Sequence, residues 1–324
     1  MTRNFLYISQ TGDGWQNLGL DEWFLDHVQD DDLVLYFYIN QNAVIIGRNQ
    51  NPWKECNLSA MERDGVQLVR RISGGGAVYH DNGNLNFSFI AGKNRYDVNR
   101  QFALIMQTVR DVGIPCEFSG RNDILTDGKK FSGNAFCSRE DRRQHHGTLL
   151  VNANLNKLSD YLHVDPRKMQ SKGIASVRSR VCNLCDIVPT LTVDELKSRI
   201  PQAFGEIYGH YETFEPTAAQ KQEIAAYTRK HASWEWRIGK TPKFDIEFDT
   251  RFAWGGVQLL LSLEKGRVVH TELFTDANDA ELPALVASLL NGTAFDRTAL
   301  CASLLRSDKD EIRDLAVYLS EQNF

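Results

Sequence analysis

Arg70 and Arg71 stand directly before Ile72, Ser73 and three consecutive glycines, Gly74 to Gly76. Two guanidinium groups beside backbone that carries no side chains suit a phosphate or a carboxylate. Arginine offers a fixed fork of donors to such oxygens, and glycine lets the chain approach closely and turn its N–H groups toward them. Spacing excludes two other phosphate loops: neither G-x-G-x-x-G between a strand and a helix nor G-x-x-x-x-G-K-[ST] occurs in the chain. Taken alone, the triplet also fits a flexible loop between two solvated arginines. Further along, Lys129 and Lys130 follow the turn pair Asp127-Gly128, and alternation along a strand sends the two lysines to opposite faces. The adjacent His145 and His146 face apart for the same reason, so they cannot easily share a metal ion.

The elements that must hold these groups alternate between strands and helices. Asn17 to Val28 has helical apolar spacing, Leu33 to Ile39 is a continuous β-prone run, and Ala43 to Gly47 is a short strand. The last two read as strands of one sheet behind the helix. Gln67 to Arg71 reads as a strand leading into the glycines. Asn84 to Ala91 alternates like a half-buried strand, with turn chemistry at Asp81-Asn82-Gly83. Val98 to Val112 is helical, Ile124 to Phe136 is a hairpin turning at Asp127-Gly128, and Thr148 to Val151 continues the sheet. Ser138 to Gln144 reads by default as a solvated polar loop, or else as one folding over the site so that Arg139, Arg142 and Arg143 help hold the carboxylate. Thr192-x-x-Glu195 and Thr217-x-x-Gln220 are capping boxes for later helices. A linker around 237–245 divides a first domain, 1–240, from a small second one, 241–324. The latter would contain a hairpin, Val257 to Leu263 and Val268 to Phe274, and three short helices.

Composition bounds the function. A length of 324 residues favours two domains, and 42% hydrophobic with 24% charged residues is ordinary for a soluble globular protein. The net charge of -5 argues against a general nucleic-acid binder. No stretch approaches the roughly 18 apolar residues of a membrane span. The start has no apolar signal region, and six cysteines without a dense framework of spacings fit a reducing compartment, so a cytoplasmic protein is expected.

The glycine run continues into Ala77-Val78-Tyr79-His80-Asp81, with Gly83-Asn84-Leu85-Asn86-Phe87 beyond. With Ile46-Gly47-Arg48-Asn49-Gln50-Asn51-Pro52-Trp53, Lys130-Phe131-Ser132-Gly133-Asn134-Ala135 and His146-Gly147-Thr148, it resembles the signature of lipoate–protein ligases, nearly end to end. Trp254-Gly255-Gly256 and Phe274-Thr275-Asp276 extend the likeness into the small domain. The resemblance implies an α/β (α+β mixed-sheet) fold, with a catalytic domain of the class-II aminoacyl-synthetase and biotin-ligase type and a smaller accessory α+β domain. It implies a ligase that joins free lipoate to ATP·Mg²⁺, giving lipoyl-AMP and pyrophosphate. The lipoyl group then passes to a lysine of a lipoyl-domain protein, either a glycine-cleavage H protein or an acyltransferase subunit of a 2-oxoacid dehydrogenase.

By position, the resemblance assigns Arg71, Gly76, Ala77, Val78, Tyr79, Asp123 and Lys130 to ATP, and Arg70, Gly75, Lys130 and His146 to lipoate. Lys130 is the expected catalytic group, because a compact cation can sit between a carboxylate and a phosphate. Asp123 would receive the adenine amino group or hold Mg²⁺, or else form an Asx-type turn. His80 is left without a role. Closure of the small domain would shield the reactive anhydride from water. Lys172 to Val181 belongs, by resemblance, to a region responding to adenylate formation. Cys182-x-x-Cys185 lacks the further ligands of a zinc site, and Cys137 would need an adjacent base to act as a nucleophile. The rival readings are an octanoyltransferase or a non-catalytic lipoyl-domain binder of the same fold, and a biotin ligase.

Overall fold

In a computed structural model, residues 2–119, 122–162, 181–238 and 245–322 are described. The chain runs β1 (Arg3–Ile8), α1 (Gly14–His27), β2 (Asp32–Tyr38), β3 (Ala43–Ile46), α2 (Pro52–Glu55), α3 (Leu58–Arg63), β4 (Gln67–Arg70), β5 (Val78–His80), β6 (Asn84–Ala91) and α4 (Val98–Arg110). It continues through β7 (Glu117–Ser119), β8 (Asp123–Thr126), β9 (Lys129–Arg139), β10 (Arg142–Leu150), α5 (Leu158–Tyr161), α6 (Val193–Tyr208), β11 (Glu212–Thr213), α7 (Ala218–Ala232) and α8 (Trp234–Arg237). Last come β12 (Ile246–Phe252), β13 (Gly255–Glu264), β14 (Arg267–Thr275), α9 (Leu282–Leu290), α10 (Arg297–Leu304) and α11 (Asp310–Ser320).

A mixed eight-stranded sheet, ordered β11-β1-β2-β6-β10-β9-β8-β7, forms the body. Strand β2 is buried throughout, and beyond Asp32 it is a continuous run of apolar and aromatic residues because it feeds two cores. Leu33, Leu35 and Phe37 pack toward α4 and α6, while Val34, Tyr36 and Tyr38 pack toward α1. A separate three-stranded sheet, β4-β3-β5, stands beside it, so β2 and β3 belong to different sheets rather than to one. Strand β6 is buried on both faces, not half-buried. Its Leu85, Phe87 and Phe89 enter the core, and Asn84, Asn86 and Ser88 turn inward on the other side. The polar face is covered because it borders an internal cavity.

The segment read as a polar loop, Ser138 to Gln144, is the end of one strand and the start of the next. Its arginines do not fold over a site. Arg139 pairs with Glu22 and Asp26 of α1, and Arg142 donates to the Asp26 carbonyl. Their partners lie more than a hundred residues back in sequence, so local polarity misreads the hairpin. Of the two capping boxes, the one at Thr217 and Gln220 forms both bonds, whereas Thr192 simply accepts from the Glu195 N–H. In the second domain the expected hairpin is β13–β14, joined by the unanticipated β12 and followed by three helices on a core drawn wholly from residues 248–319. Most of the expected linker, and Lys172 to Arg180 with Gly120 and Arg121, lie outside the described residues.

Glu22 ties three elements together. Its side chain is 1% exposed and bonds Arg139 of β9 with Lys230 and His231 of α7. Burial pushes this carboxyl up, but the His231, Lys230 and Arg139 hydrogen bonds outweigh it and hold the group below the usual range. The two cations, Arg139 and Lys230, are partly in water and can turn outward, and burial lowers His231 below the usual imidazole value. Loss of one partner from a buried charge cluster should therefore cost about 3 kcal/mol, the low end of the known range. Glu22→Ala is expected to lower the urea-unfolding free energy by about that amount, while an unchanged midpoint would show that the cluster contributes nothing.

Candidate active site

The two arginines are framework. Arg70 is buried and donates to the carbonyls of Gly47, Arg48, Gln50, Trp236 and Arg237. Arg71, equally buried, donates to the carbonyls of Ile45, Gly74 and Gly76. Burial pushes both guanidinium groups down to about 10, so they stay cationic at neutral pH. Among the described residues neither has a carboxylate partner. The glycines admit this folding. A side chain at Gly47 would collide with the Gly75 carbonyl, and one at Gly74 would meet the Ala277 carbonyl at 2.6 Å. Gly75 has φ +96°, the left-handed region that favours glycine.

Below the loop lies a cavity of about 400 Å³ between the two sheets. Arg71, Gly75, Gly76, Ala77, Val78, Tyr79, Lys130 and His146 line it, so the structure gathers most of the expected residues around one space. Leu18, Ile45, Ala135, Leu150, Leu155 and Leu158 give it apolar wall. Arg70 is not part of that wall. Asp123 is not in the lining either, but its carboxylate takes the Lys130 ammonium at 2.7 Å. Lys130 folds back over Gly133, where a Cβ would lie 2.8 Å from its Nζ, and Lys129 is exposed on the opposite face. An open depression of about 700 Å³ adjoins this cavity at Ala153 and Asn154, and its lining carries no cation.

His80 and His146 line the cavity, and His145 lies on the opposite face of β10. His145 is sealed between Gln101 and Asn134 at 3.0 Å each, and His146 pairs with Ser73 Oγ at 2.6 Å. The adjacent histidines indeed face apart, and no group of three metal-binding side chains occurs among the described residues. Sequence reasoning did not single out the Ser73–His146 pair or Asn278, which reaches the cavity rim from the small domain. Both depend on contacts between distant segments, which no local pattern signals. Cys137 is buried and its thiol pushed up to about 11 by that burial. Cys182 points toward the Lys129 carbonyl and Cys185 toward Asn152, so this pair does not act together.

Burial, aided by Arg71 at His80 and His146, pushes His80, His145 and His146 down to about 3, which keeps them neutral. Their stabilising effect is therefore complete above the unfolded value near 6.5 and is lost as pH falls through it toward 3. Unfolding should take up about three protons below pH 6, steepening the loss of stability between pH 6.5 and 5. A flat profile in urea unfolding at pH 7, 6 and 5 would contradict these burial effects.

Comparison with known proteins agrees with this arrangement. The family model of the lipoyl protein ligase A/B catalytic domain matches residues 13–205, and that of the bacterial lipoate protein ligase C-terminus matches residues 241–317. Among solved structures, P. falciparum LipL1 in complex with lipoate is similar at TM-score 0.86 and 27% identity, covering 98% of this chain and 100% of that one. A bipartite lipoate protein ligase with its E2 lipoyl domain from Thermoplasma acidophilum has TM-score 0.66 and 29% identity, covering 76% and 100%. A lipoate-protein ligase A bound with ATP has TM-score 0.61 and 29% identity, covering 74% and 98%. The mixed sheet is thus the class-II synthetase-like fold with a smaller C-terminal domain. With the arginine-framed glycine loop and Lys130 on one cavity, and a family match across more than half its length, the chain belongs to the lipoate–protein ligase family.

Proposed function

We propose that the chain is an ATP-dependent lipoate–protein ligase, with residues 1–240 carrying catalysis and 241–324 acting as accessory domain. The observation that carries this reading is that Lys130 lines the same cavity as the glycine loop and a set of apolar side chains. In the first step a lipoate carboxylate oxygen attacks the α-phosphorus of ATP, the bond to the β-phosphate oxygen breaks, and pyrophosphate leaves. In the second, the ε-amine of an acceptor lysine attacks the acyl carbon, AMP leaves, and the amine gives up a proton. Both steps gather negative charge, and Lys130 Nζ is the compact cation that turns from Asp123 to meet it. The apolar wall would enclose the dithiolane chain, with His146 and Gly75 at its polar end, while Arg70 shapes the loop from behind. Arg71 and the run Gly76 to Tyr79 would border the nucleotide. Mg²⁺ would arrive on the triphosphate, with Asp123 available once Lys130 has turned away.

The lipoate, ATP and lipoyl-domain partners in the relatives' structures support this reading. Acceptors would be glycine-cleavage H proteins or acyltransferase subunits of 2-oxoacid dehydrogenases. All six cysteines are free, as suits a reducing, cytoplasmic setting. An octanoyltransferase working through a cysteine would need an accessible thiol at the cavity, and the two nearest in sequence to the Lys130 pairing, Cys137 and Cys182, are both buried.

Lipoate-dependent release of pyrophosphate from ATP·Mg²⁺ tests the proposal. Lys130→Ala should abolish release, by at least about 100-fold, the scale of losing one charge-stabilising group. Gly133→Ala pushes only on the flexible end of Lys130, so it should fold normally yet lower the rate. Equal rates in all three proteins, or none in the folded wild type, would sink the reading.

A further inference from the structure

Lys130 does not lie on the face of β9 that its place in the strand dictates. Cys137 packs toward α1, and Ala135 and Gly133, two and four residues earlier in β9, line the cavity. Between them, the side chains of Phe136 and Asn134 turn the other way, Phe136 onto the core under α4 and Asn134 to His145. Strict alternation would carry on to put Phe131 in the cavity and Lys130 in the core. The structure has the reverse: Phe131 is buried in that core, and Lys130 lines the cavity.

The cause is a β-bulge. The β8–β9 register pairs Asp123 with Gly133 and Ile124 with Ser132, then shifts so that Leu125 meets Lys130. Phe131 is thus the extra residue, and it joins the buried Ser132 on the core side opposite Ile124. An inserted residue re-aims the side chains beyond it. Lys130 thereby shares a face with Asp123 and Gly133 and touches both. Its ammonium meets the Asp123 carboxylate at 2.7 Å and lies over Gly133, where a Cβ would stand 2.8 Å from Nζ.

A bulge interrupts the ladder, and two bonds from outside β8 and β9 hold this one. The paired run of β9 with β10 ends at Asn134 and Gly147. One residue beyond it, the Gly133 N–H donates to the Thr148 side-chain hydroxyl at 3.2 Å, so a side chain continues the connection. At Lys130 itself the carbonyl accepts the Cys182 N–H at 3.0 Å. Of these two anchors, Thr148 acts on the residue directly beneath the ammonium.

We propose that Thr148 is a positioning residue for Lys130: its hydroxyl fixes the Gly133 N–H, and with it the bulge that turns the ammonium into the cavity. This rests on the ATP-dependent reading above, in which Lys130 meets charge that develops in the transition state. Without the hydroxyl, Gly133 and the ammonium resting on it shift together. Because Thr148 acts through Lys130, its loss should slow adenylation without weakening the binding of either substrate.

The test is lipoate-dependent pyrophosphate release by the wild type, Thr148→Val and Thr148→Ser. The kcat and the KM values for ATP and lipoate are measured separately, with melting curves to identify folded variants. Valine keeps the branching and strand preference of threonine but cannot accept the Gly133 N–H. Thr148→Val should lower kcat about tenfold, the rate equivalent of one lost hydrogen bond, with both KM values unchanged. Thr148→Ser keeps the oxygen and should recover most of the rate. Unchanged kcat in folded Thr148→Val, a raised KM at unchanged kcat, or equal loss in Thr148→Val and Thr148→Ser overturns the proposal. If Thr148→Val does not fold, deuterium exchange at the Gly133 amide of the wild type decides: protection supports the bond to Thr148, and free exchange overturns it. Absence of release from the wild type overturns the ligase reading instead, and the amide measurement then judges the bulge by itself.

Discussion

Arg70 and Arg71 are buried cations that bond backbone carbonyls, and the upper wall of the cavity takes its shape from that arrangement. Removing a charge from water is costly unless polar groups surround it. Here segments 45–50, 74–76 and 236–237 supply those groups, so three stretches distant in sequence are drawn around two fixed points. The requirement passes on to the glycines. Gly47 must be bare for the loop to pass, and Gly75 must turn left-handed for Arg71 to reach both neighbouring carbonyls. With no carboxylate among the described residues to neutralise them, the two cations leave a positive potential over the cavity, which suits the anions of an acyl adenylate.

The small domain completes the same loop. The Gly75 N–H bonds the Ala277 carbonyl, the Thr275 N–H bonds the Asn49 carbonyl, and the Asn49 amide bonds the Ala280 carbonyl. Asp276 holds this segment in place by accepting the Gly256 N–H beside Arg251. Beneath, Asn84 and Asn86 of β6 and the neutral His80 and His146 line the cavity. Lys130 is the contrasting element. Its ammonium is about one-third exposed and paired with a similarly exposed carboxylate, so it can exchange that partner at small cost, whereas the arginines cannot.

Local chemistry was legible in the sequence. The glycine loop, the Asp127-Gly128 turn, the alternation that separates Lys129 from Lys130, and the small-domain hairpin are short-range patterns, and the structure carries all of them. What pairing across the chain decides was not legible. Strand β1 depends on β2 beside it, the arginines of the β9–β10 hairpin depend on Glu22 and Asp26, and the alternation of β6 looked like a solvent face because the cavity it borders is built from other segments. Arg70 shows the limit most plainly. Its residue type and position suit an anion, yet five carbonyls from two other segments, 47–50 and α8, engage its guanidinium.

In the proposed reaction labour is divided: fixed arginines frame the loop, and Lys130 leaves Asp123 to meet the reacting anions. A crystal structure of the protein with lipoyl-AMP tests it most directly. Lys130 Nζ is expected to have turned from Asp123 onto the acyl-phosphate oxygens, with Arg70 and Arg71 still bonded to the same carbonyls. Lipoyl-AMP held by guanidinium groups released from those carbonyls, with Lys130 still on Asp123, would contradict it.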